Sequence, residues 1–158
     1  MTTAITNKLE IIKFREEFKD AFKAINYEWI EKYFEVTELD KQAFNNPTEA
    51  ILDKEGFIYL ALYENTIIGS VALERITQKQ YALTRMGVQP GFQGMKVGQS
   101  LMDAAIDKCK EMELESVVLY TNHVLINALN LYIKNGFKFV TLDDVPYKRA
   151  KIKMELKF

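Results

Sequence analysis

The sequence predicts a mixed α/β fold, because its hydrophobic period changes several times along the chain. Apolar residues recur at three- and four-residue steps from Phe14 to Tyr33, which is typical of one face of a helix. From Gly56 to Val88 the pattern changes to short apolar runs separated by turns, which indicates strands. Helical and strand patterns then alternate to the C-terminus, so we expect layers of helices and sheet.

The first half of the chain is predicted to hold a strand, two or three helices and three strands. The apolar run Leu9–Phe14 predicts the first strand, and Asn46 begins a later helix. Asn46 can cap that helix, Pro47 loses no hydrogen bond at its first position, and Glu49 can reach back to the cap. The strands that follow are 57–63, 67–73 and 81–88, with a hairpin turn at 64–66.

The second half is predicted to run helix, strand, helix and two strands. Lys96–Met112 is amphipathic, with one apolar stripe formed by Val97, Leu101, Ala105 and Cys109. Val117–Tyr120 is a short buried strand, and Asn135-Gly136 ends the next helix. The inward residues of that helix are Leu125, Ala128, Leu129 and Tyr132. Apolar and charged residues alternate from Ile152 to Phe158, as in an amphipathic strand.

Length and composition indicate one globular domain, residues 1–158, and exclude several classes of function. A net charge of −1 does not favour binding to nucleic acid or to an anionic membrane. No apolar run approaches the ~20 residues that a membrane span requires. With one cysteine, Cys109, and one histidine, His123, neither an internal disulfide nor a zinc site is expected, and no other metal site is indicated. We expect a cytoplasmic protein.

The C-terminal basic residues superficially resemble an RNA-binding tail. Because they alternate with apolar residues, the simpler interpretation is the solvent-facing side of the last strand. These residues are Lys148, Arg149, Lys151, Lys153 and Lys157.

The most informative segment joins the strand that ends at Val88 to the helix that begins near Lys96. It contains glycines at 91, 94 and 98. A helix start presents backbone N–H groups without partners and a partial positive charge, so it can bind phosphate groups. The glycine spacing fits neither a P-loop nor a dinucleotide fingerprint. Spacing alone leaves an ordinary strand-to-helix turn open.

Two motifs in this part of the chain resemble the GCN5-related N-acetyltransferase (GNAT) family. The first is Val88-Gln-Pro90 followed by Gln93-Gly-Met-Lys-Val-Gly98, where the family has Val-x-Pro and then Gln/Arg-x-x-Gly-x-Gly/Ala. Lys96 stands where the family usually has its middle glycine, a departure that a helical φ at Lys96 would tolerate. The second is Ala128-x-x-Leu-Tyr132-x-x-x-Gly-Phe137.

The resemblance implies a mostly antiparallel, roughly seven-stranded sheet flanked by helices and splayed between its fourth and fifth strands. Acetyl-CoA, the acyl donor, would lie in this cleft. The loop from Gln93 to Gln99 would bind its pyrophosphate, through the backbones of Gln93, Gly94, Met95, Lys96, Val97, Gly98 and Gln99. Its pantetheine arm would pair with the backbones of Met86, Gly87 and Val88, and an amide there would polarise the thioester carbonyl.

The resemblance also implies direct transfer of the acetyl group to an amine, with Tyr132 as the acid that protonates the departing thiolate. The usual glutamate positions are occupied by Ala82 and Tyr120, neither of which is a base. Asn122 and Asn127 are candidates to hold a water molecule or the cofactor's amide, although capping the following helix is an equal alternative. His123 and Glu74 are weaker candidates for the base, and an amine that loses its proton to solvent requires none.

Three readings of function follow, and the sequence does not identify the acceptor. The first is an acetyl-CoA-dependent N-acetyltransferase acting on a small-molecule or peptide amine. The second is a non-catalytic acyl-CoA-binding or sensor module, and the third is a domain that binds no CoA. A homodimer is compatible with the resemblance. Trp29, Tyr33 and Phe34 either wall the acceptor pocket or, as we prefer, pack in the core.

Overall fold

The computed structural model describes residues 9–92 and 94–158, and within these ranges seven strands form one mixed sheet. The strands are β1 (Leu9–Lys13), β2 (Phe57–Tyr63), β3 (Thr66–Arg75), β4 (Gln80–Val88), β5 (Ser116–Thr121), β6 (Lys138–Val140) and β7 (Ile152–Lys157). The helices are α1 (Lys19–Tyr33), α2 (Glu38–Asn45), α3 (Pro47–Ala50), α4 (Val97–Glu111) and α5 (Ile126–Lys134). The order of strands across the sheet is β1-β2-β3-β4-β5-β7-β6.

The predicted α/β class, the seven strands and the order of elements are confirmed. Every neighbouring pair of strands is antiparallel except β4 and β5, which are parallel. A parallel pair requires a crossover, and here α4 supplies it. None of the helices in the described ranges has the length and apolar character needed to cross a bilayer.

Each face of the sheet has its own hydrophobic core. On one face, Phe22 of α1 and Phe44 of α2 pack edge to face with ring centroids 5.1 Å apart, and both are fully buried with Leu60 of β2. On the other face, α4 buries the predicted apolar stripe, and α5 contributes Tyr132 to the same core. Burial of apolar surface on both faces fixes α1 and α4 on opposite sides of β3 and β4.

The predicted helix start at Asn46 is corrected in part. Pro47 does occupy the first helical position, but the helix has four residues and the Asn46 side chain forms no capping bond. The longer helix α2 begins earlier, with a capping box between Thr37 and Asp40. Because Asp replaces the usual Glu or Gln at the third position, the sequence pattern is less conspicuous.

A β-bulge interrupts β4 where it faces the middle of β3. Ser70 pairs with Gly87 and Ala72 with Thr84, so Arg85 and Met86 together oppose one β3 residue. Arg85 adopts a φ of 51°, which is unusual for a non-glycine residue inside a strand.

A buried hydrogen-bond chain holds this bulge in place. The Ser70 hydroxyl donates to the Arg85 carbonyl at 2.8 Å, and Asn26 of α1 donates to the Ser70 oxygen at 2.9 Å. Trp29 Nε1 donates in turn to the Asn26 oxygen at 3.0 Å. The chain therefore connects helix α1 to the turned backbone of β4.

Replacing Ser70 with alanine is expected to lower the free energy of unfolding by about 1–3 kcal/mol, because it leaves the Arg85 carbonyl and an Asn26 N–H buried without a partner. Urea denaturation measures the change. Thr66→Ala, an exposed position on the same strand, is the matched control and should cost much less. Equal losses in the two variants would contradict the structural role of this chain.

Candidate functional site

A cleft opens where β4 and β5 part. The two strands pair only at Gln80–Ser116, Tyr81–Val117 and Ala82–Val118, although both continue beyond these pairs. In the described residues, the later part of β4 pairs only with β3, and the later part of β5 only with β7. A cavity lies between them, with walls that include Leu83, Thr84, Tyr120 and Thr121.

The start of α4 presents bare backbone amides beside this cleft. The first helical hydrogen bond runs from the Ser100 amide to the Lys96 carbonyl, so the amides of Val97, Gly98 and Gln99 precede the helical ladder. No side chain caps this end of the helix within the described residues. The helix start therefore offers N–H donors and a partial positive charge to an anion.

Lys96 does not adopt the helical φ that would have made it a tolerable replacement for the family's middle glycine. Its φ is 59° and its ψ is 34°, which is the left-handed helical conformation. Gly91 and Gly94 in the same loop also have positive φ. Left-handed backbone costs a residue with a Cβ roughly 1–2 kcal/mol. A glycine would avoid that cost, so Lys96 preserves the geometry of the loop at an energetic penalty.

The three β4 residues predicted to meet the pantetheine arm lie on the part of the strand that pairs with β3 but not with β5. A Cβ on Gly87 would come within 2.8 Å of the Trp29 ring, so this position has no room for a side chain. The Met86 side chain reaches the other face of the sheet, where it approaches Gly98 at the start of α4. Val88 is exposed.

Tyr132 lies on the buried face of α5, and its ring centroid is 5.9 Å from that of Phe137. No described residue forms a hydrogen bond with its hydroxyl. Burial raises the pKa of Tyr132, so the phenol is protonated at neutral pH. Gln99 positions this helix, because its side-chain amide pairs reciprocally with that of Asn135 at 2.8 and 3.0 Å.

The remaining predicted site residues differ in their surroundings. Asn122 is buried. Its side-chain nitrogen donates to the Arg149 carbonyl at 2.9 Å, and its side-chain oxygen accepts from the Val124 amide at 3.0 Å, so both groups have partners within the protein. Asn127 and His123 are exposed. Gln93, the first residue of the predicted phosphate loop, lies outside the described residues.

Sequence reasoning missed a buried ionic cluster that closes one side of the cleft. Asp40 of α2 is fully buried and accepts from both terminal nitrogens of Arg149, each at 2.8 Å. Arg85, at the bulge, forms a second ion pair with Asp40. The Arg85 Nη2 also donates to the Tyr147 hydroxyl at 2.6 Å.

The prediction that the C-terminal basic residues all face solvent is therefore wrong for Arg149. It lies in the loop 141–151, between β6 and β7, and its guanidinium packs 4.4 Å from the Tyr147 ring centroid. Arg85 could have been noticed in the sequence, because it is a charged residue inside the apolar run of β4. Nothing local marks Asp40 and Arg149 as partners, because they are 109 residues apart.

The cluster controls the ionisation of Asp40. Burial alone would raise the pKa of its carboxyl, but hydrogen bonds from Arg149 and the Thr37 amide, with the charges of both arginines, lower it to about 2. Asp40 is therefore ionised at neutral pH.

Trp29 and Phe34 line the cavity and also pack against the core on the α1 face of the sheet, so both interpretations hold for these two aromatics. Tyr33 is 46% exposed and contributes to neither core nor cavity. Cys109 is completely buried, and burial raises the pKa of its thiol to about 12, which leaves it unreactive. The described residues contain no group of three or more histidine, cysteine or carboxylate side chains arranged to hold a metal ion.

A sequence model described as the acetyltransferase (GNAT) family matches residues 15–137. The chain belongs to this family. The resemblance seen in the two motifs is thus confirmed, and the parted β4–β5 pair is the splay that the GNAT resemblance implied.

Individual GNAT proteins show how far the similarity extends. Mycothiol acetyltransferase of Propionibacterium freudenreichii subsp. shermanii is 29% identical over 150 residues, which cover 90% of this chain and 47% of that protein. The chain thus spans about half the length of this relative.

Two solved GNAT-fold structures cover nearly the whole chain. An acetyltransferase of the GNAT family from Staphylococcus aureus Mu50 superposes with a TM-score of 0.87 at 23% identity, covering 95% of this chain and 99% of that one. The PaiA N-acetyltransferase of Thermoplasma acidophilum, solved in complex with coenzyme A, gives 0.77 at 20% identity, covering 96% and 99%. These likenesses establish the fold.

Replacing Lys96 with glycine is expected to raise the free energy of unfolding by about 0.5–1 kcal/mol, because it removes the left-handed strain and restores the family's usual residue. Lys110→Gly, at an exposed position within α4, is the matched control and should lower stability by up to about 1 kcal/mol. Denaturant unfolding of both variants measures the difference. A loss in both would contradict the left-handed assignment at Lys96.

Asp40→Asn is expected to lower the free energy of unfolding at neutral pH by about 3–5 kcal/mol, because it leaves two buried arginines without their shared anion. The folded-state pKa of Asp40 is below its ordinary value of 3.8, so this stabilisation is present above about pH 4 and is lost as pH falls towards 2. Urea titrations at pH 5, 4 and 3 should show the wild type converging on the variant. Parallel pH dependence in the two proteins would contradict the ionised cluster.

Proposed function

We propose that the protein transfers the acetyl group of acetyl-CoA to an amine in the cleft between β4 and β5. The observation that carries this proposal is the parting of a parallel strand pair directly beside the uncapped start of α4. Together they provide an unpaired strand edge and a set of amides that suit an extended arm ending in a diphosphate. Family membership supports acyl transfer rather than another use of the same cleft.

In the proposed complex, each part of acetyl-CoA meets one element of the site. The diphosphate accepts hydrogen bonds from the backbone amides of the loop 93–99, and Gln93 is proposed as the first of these donors. The pantetheine arm pairs with the edge of β4 from Met86 to Val88, where the absent side chain of Gly87 leaves the strand close to Trp29. An amide of this edge donates to the thioester carbonyl and stabilises the oxyanion that develops during attack.

The proposed reaction is a direct displacement. The neutral amine attacks the thioester carbon, a C–N bond forms, and the C–S bond breaks as CoA leaves. Tyr132 gives its proton to the departing thiolate and later regains one from solvent. A phenol with a raised pKa is protonated at neutral pH but is a weaker acid than an ordinary tyrosine, so transfer of its proton to the thiolate depends on their proximity.

The proposal assigns no dedicated base. Ala82 and Tyr120 occupy the family's usual glutamate positions, and the Tyr120 hydroxyl donates to Asp144 at 2.9 Å. Glu74 lies opposite Ala82 on β3 but bonds to the Thr84 hydroxyl and does not line the cavity. The amine would therefore lose its proton to water. The cytoplasmic location expected from the sequence and a small-molecule or peptide acceptor are part of this proposal.

Release of free CoA thiol and formation of an acetylated amine, followed over a panel of primary amines, tests the proposed function. A catalyst releases thiol only with an acceptor present. Binding of acetyl-CoA without transfer to any amine would favour the alternative of a non-catalytic sensor. Absence of a thermal shift with acetyl-CoA would exclude both.

Tyr132→Phe is expected to lower kcat by at least about 100-fold, because a positioned general acid typically contributes a factor of this size. The KM for acetyl-CoA should change less than threefold. Tyr81→Phe is the matched control, since Tyr81 is an equally buried tyrosine whose hydroxyl bonds to the Glu55 carbonyl away from the cleft. Similar kcat values for wild type and Tyr132→Phe would remove the acid role.

A further inference from the structure

The charged residues that line the cleft cavity are all cationic. They are Arg85, from the bulge in β4, and Arg149, from the loop 141–151. No aspartate or glutamate is among the described residues that form its walls. A ligand in this cavity therefore meets two guanidinium groups and no carboxylate.

Both guanidinium groups retain hydrogen-bond donors that nothing in the described protein accepts. Each guanidinium carries five N–H groups. Arg149 uses two nitrogens on Asp40, while Arg85 uses one on Asp40 and one on Tyr147. The Nε of Arg85 is buried without a hydrogen-bond partner, and a carboxylate oxygen of Glu74 lies 3.6 Å from it.

Tyr147 adds a third donor to the same wall. Its hydroxyl oxygen accepts from Arg85, and no described residue accepts its own proton. The two guanidinium groups pack against its ring, with distances of 4.4 Å for Arg149 and 5.3 Å for Arg85 from the ring centroid. The hydroxyl is thus fixed beside both cations and has a proton to donate.

The carboxylates that balance these arginines do not line the cavity. Asp40 is fully buried, and Glu74 is outside the cavity wall. Because electrostatic energy falls with distance, a group in the cavity feels the nearer guanidinium charges more strongly than the carboxylates. A second ammonium group on the acceptor would be repelled here, whereas an oxyanion would accept charge-assisted hydrogen bonds.

The rest of the cavity suits the carbon skeleton of a small acceptor. Leu83, Leu125 and Trp29 supply apolar walls. The volume is about 60 Å³. At roughly 10–15 Å³ for each water molecule, that space holds about five waters. A space of this size suits a small chemical group rather than part of a folded protein.

We propose that the acceptor is a small amine that also carries an oxyanion, a carboxylate or a phosphonate, and that Arg85, Arg149 and Tyr147 bind that oxyanion. This inference rests on the proposed transfer reaction and specifies its substrate class. The oxyanion end is held at the arginine wall, and the amino group is directed along the cleft towards the β4 edge.

A matched acceptor panel tests the charge preference in the wild-type protein. The members share one carbon chain between the amino group and the far end, which is a carboxylate, a phosphonate, a carboxamide or a second amine. We expect kcat/KM for the better oxyanion to exceed that for the carboxamide and the diamine by at least about 100-fold. The ratio between carboxylate and phosphonate identifies the preferred oxyanion. A carboxamide or diamine within threefold of both oxyanions would overturn the inference.

Arg149→Met tests the assigned residues, because Asp40 keeps its ion pair with Arg85. The KM for the oxyanion acceptor should rise at least 20-fold, a much larger factor than for the carboxamide, while the KM for acetyl-CoA stays within threefold. Lys148→Met, which removes an adjacent exposed cation, should match the wild type. Equal losses with the oxyanion and carboxamide acceptors would reduce Arg149 to a structural role and overturn its assignment.

Tyr147→Phe provides a variant that leaves every ion pair intact. It should raise the KM for the oxyanion acceptor about fivefold or more, and by a larger factor than the KM for the carboxamide. An unchanged KM would remove Tyr147 from the binding set.

Calorimetric binding of the same panel to the CoA-saturated protein separates failure of this inference from failure of the proposed function. Oxyanion-selective binding without acetylation of any amine would refute the transferase and support the anion site. Acetylation without regard to charge would support the transferase and refute the anion site. Neither transfer nor selective binding would refute both.

Discussion

β4 and β5 begin as hydrogen-bonded neighbours and then diverge, and the candidate site depends on that divergence. After Ala82 and Val118 the two strands keep their outer partners, β3 and β7, but lose each other. The bulge at Arg85 turns β4 at this point, and the Ser70 hydroxyl holds the turned carbonyl. Asp40 then binds Arg85 on one strand and Arg149 beyond the other, so one buried anion connects both sides of the opening.

The protein keeps unfavourable local conformations where this opening requires them. Arg85 and Lys96 both have positive φ, one at the bulge and the other at the start of α4. Each costs stability, and in the proposed complex each places backbone groups where an extended, phosphate-bearing ligand can meet them. The large hydrophobic cores on the two faces of the sheet supply the stability that tolerates these costs.

Patterns within one element were predictable from the sequence, and contacts between distant elements were not. The stripe from Val97 to Cys109 is buried as expected, since a helix repeats every 3.6 residues whatever its partners are. The roles of the 93–99 loop and of Tyr132 came from the motif resemblance and stay predictions. The Asp40–Arg149 pair was missed because alternation with apolar residues made Arg149 look solvent-facing. Lys96 was misjudged because residue type does not report φ at a helix start.

Amide hydrogen exchange with and without CoA reports directly on the backbone groups that the cleft between β4 and β5 leaves unpaired. If CoA occupies this cleft, exchange slows in two segments, 84–88 along β4 and 94–99 at the start of α4, with little change in β1 and β2. CoA binding that leaves both segments unchanged, or that protects a different surface, would contradict the proposed CoA site.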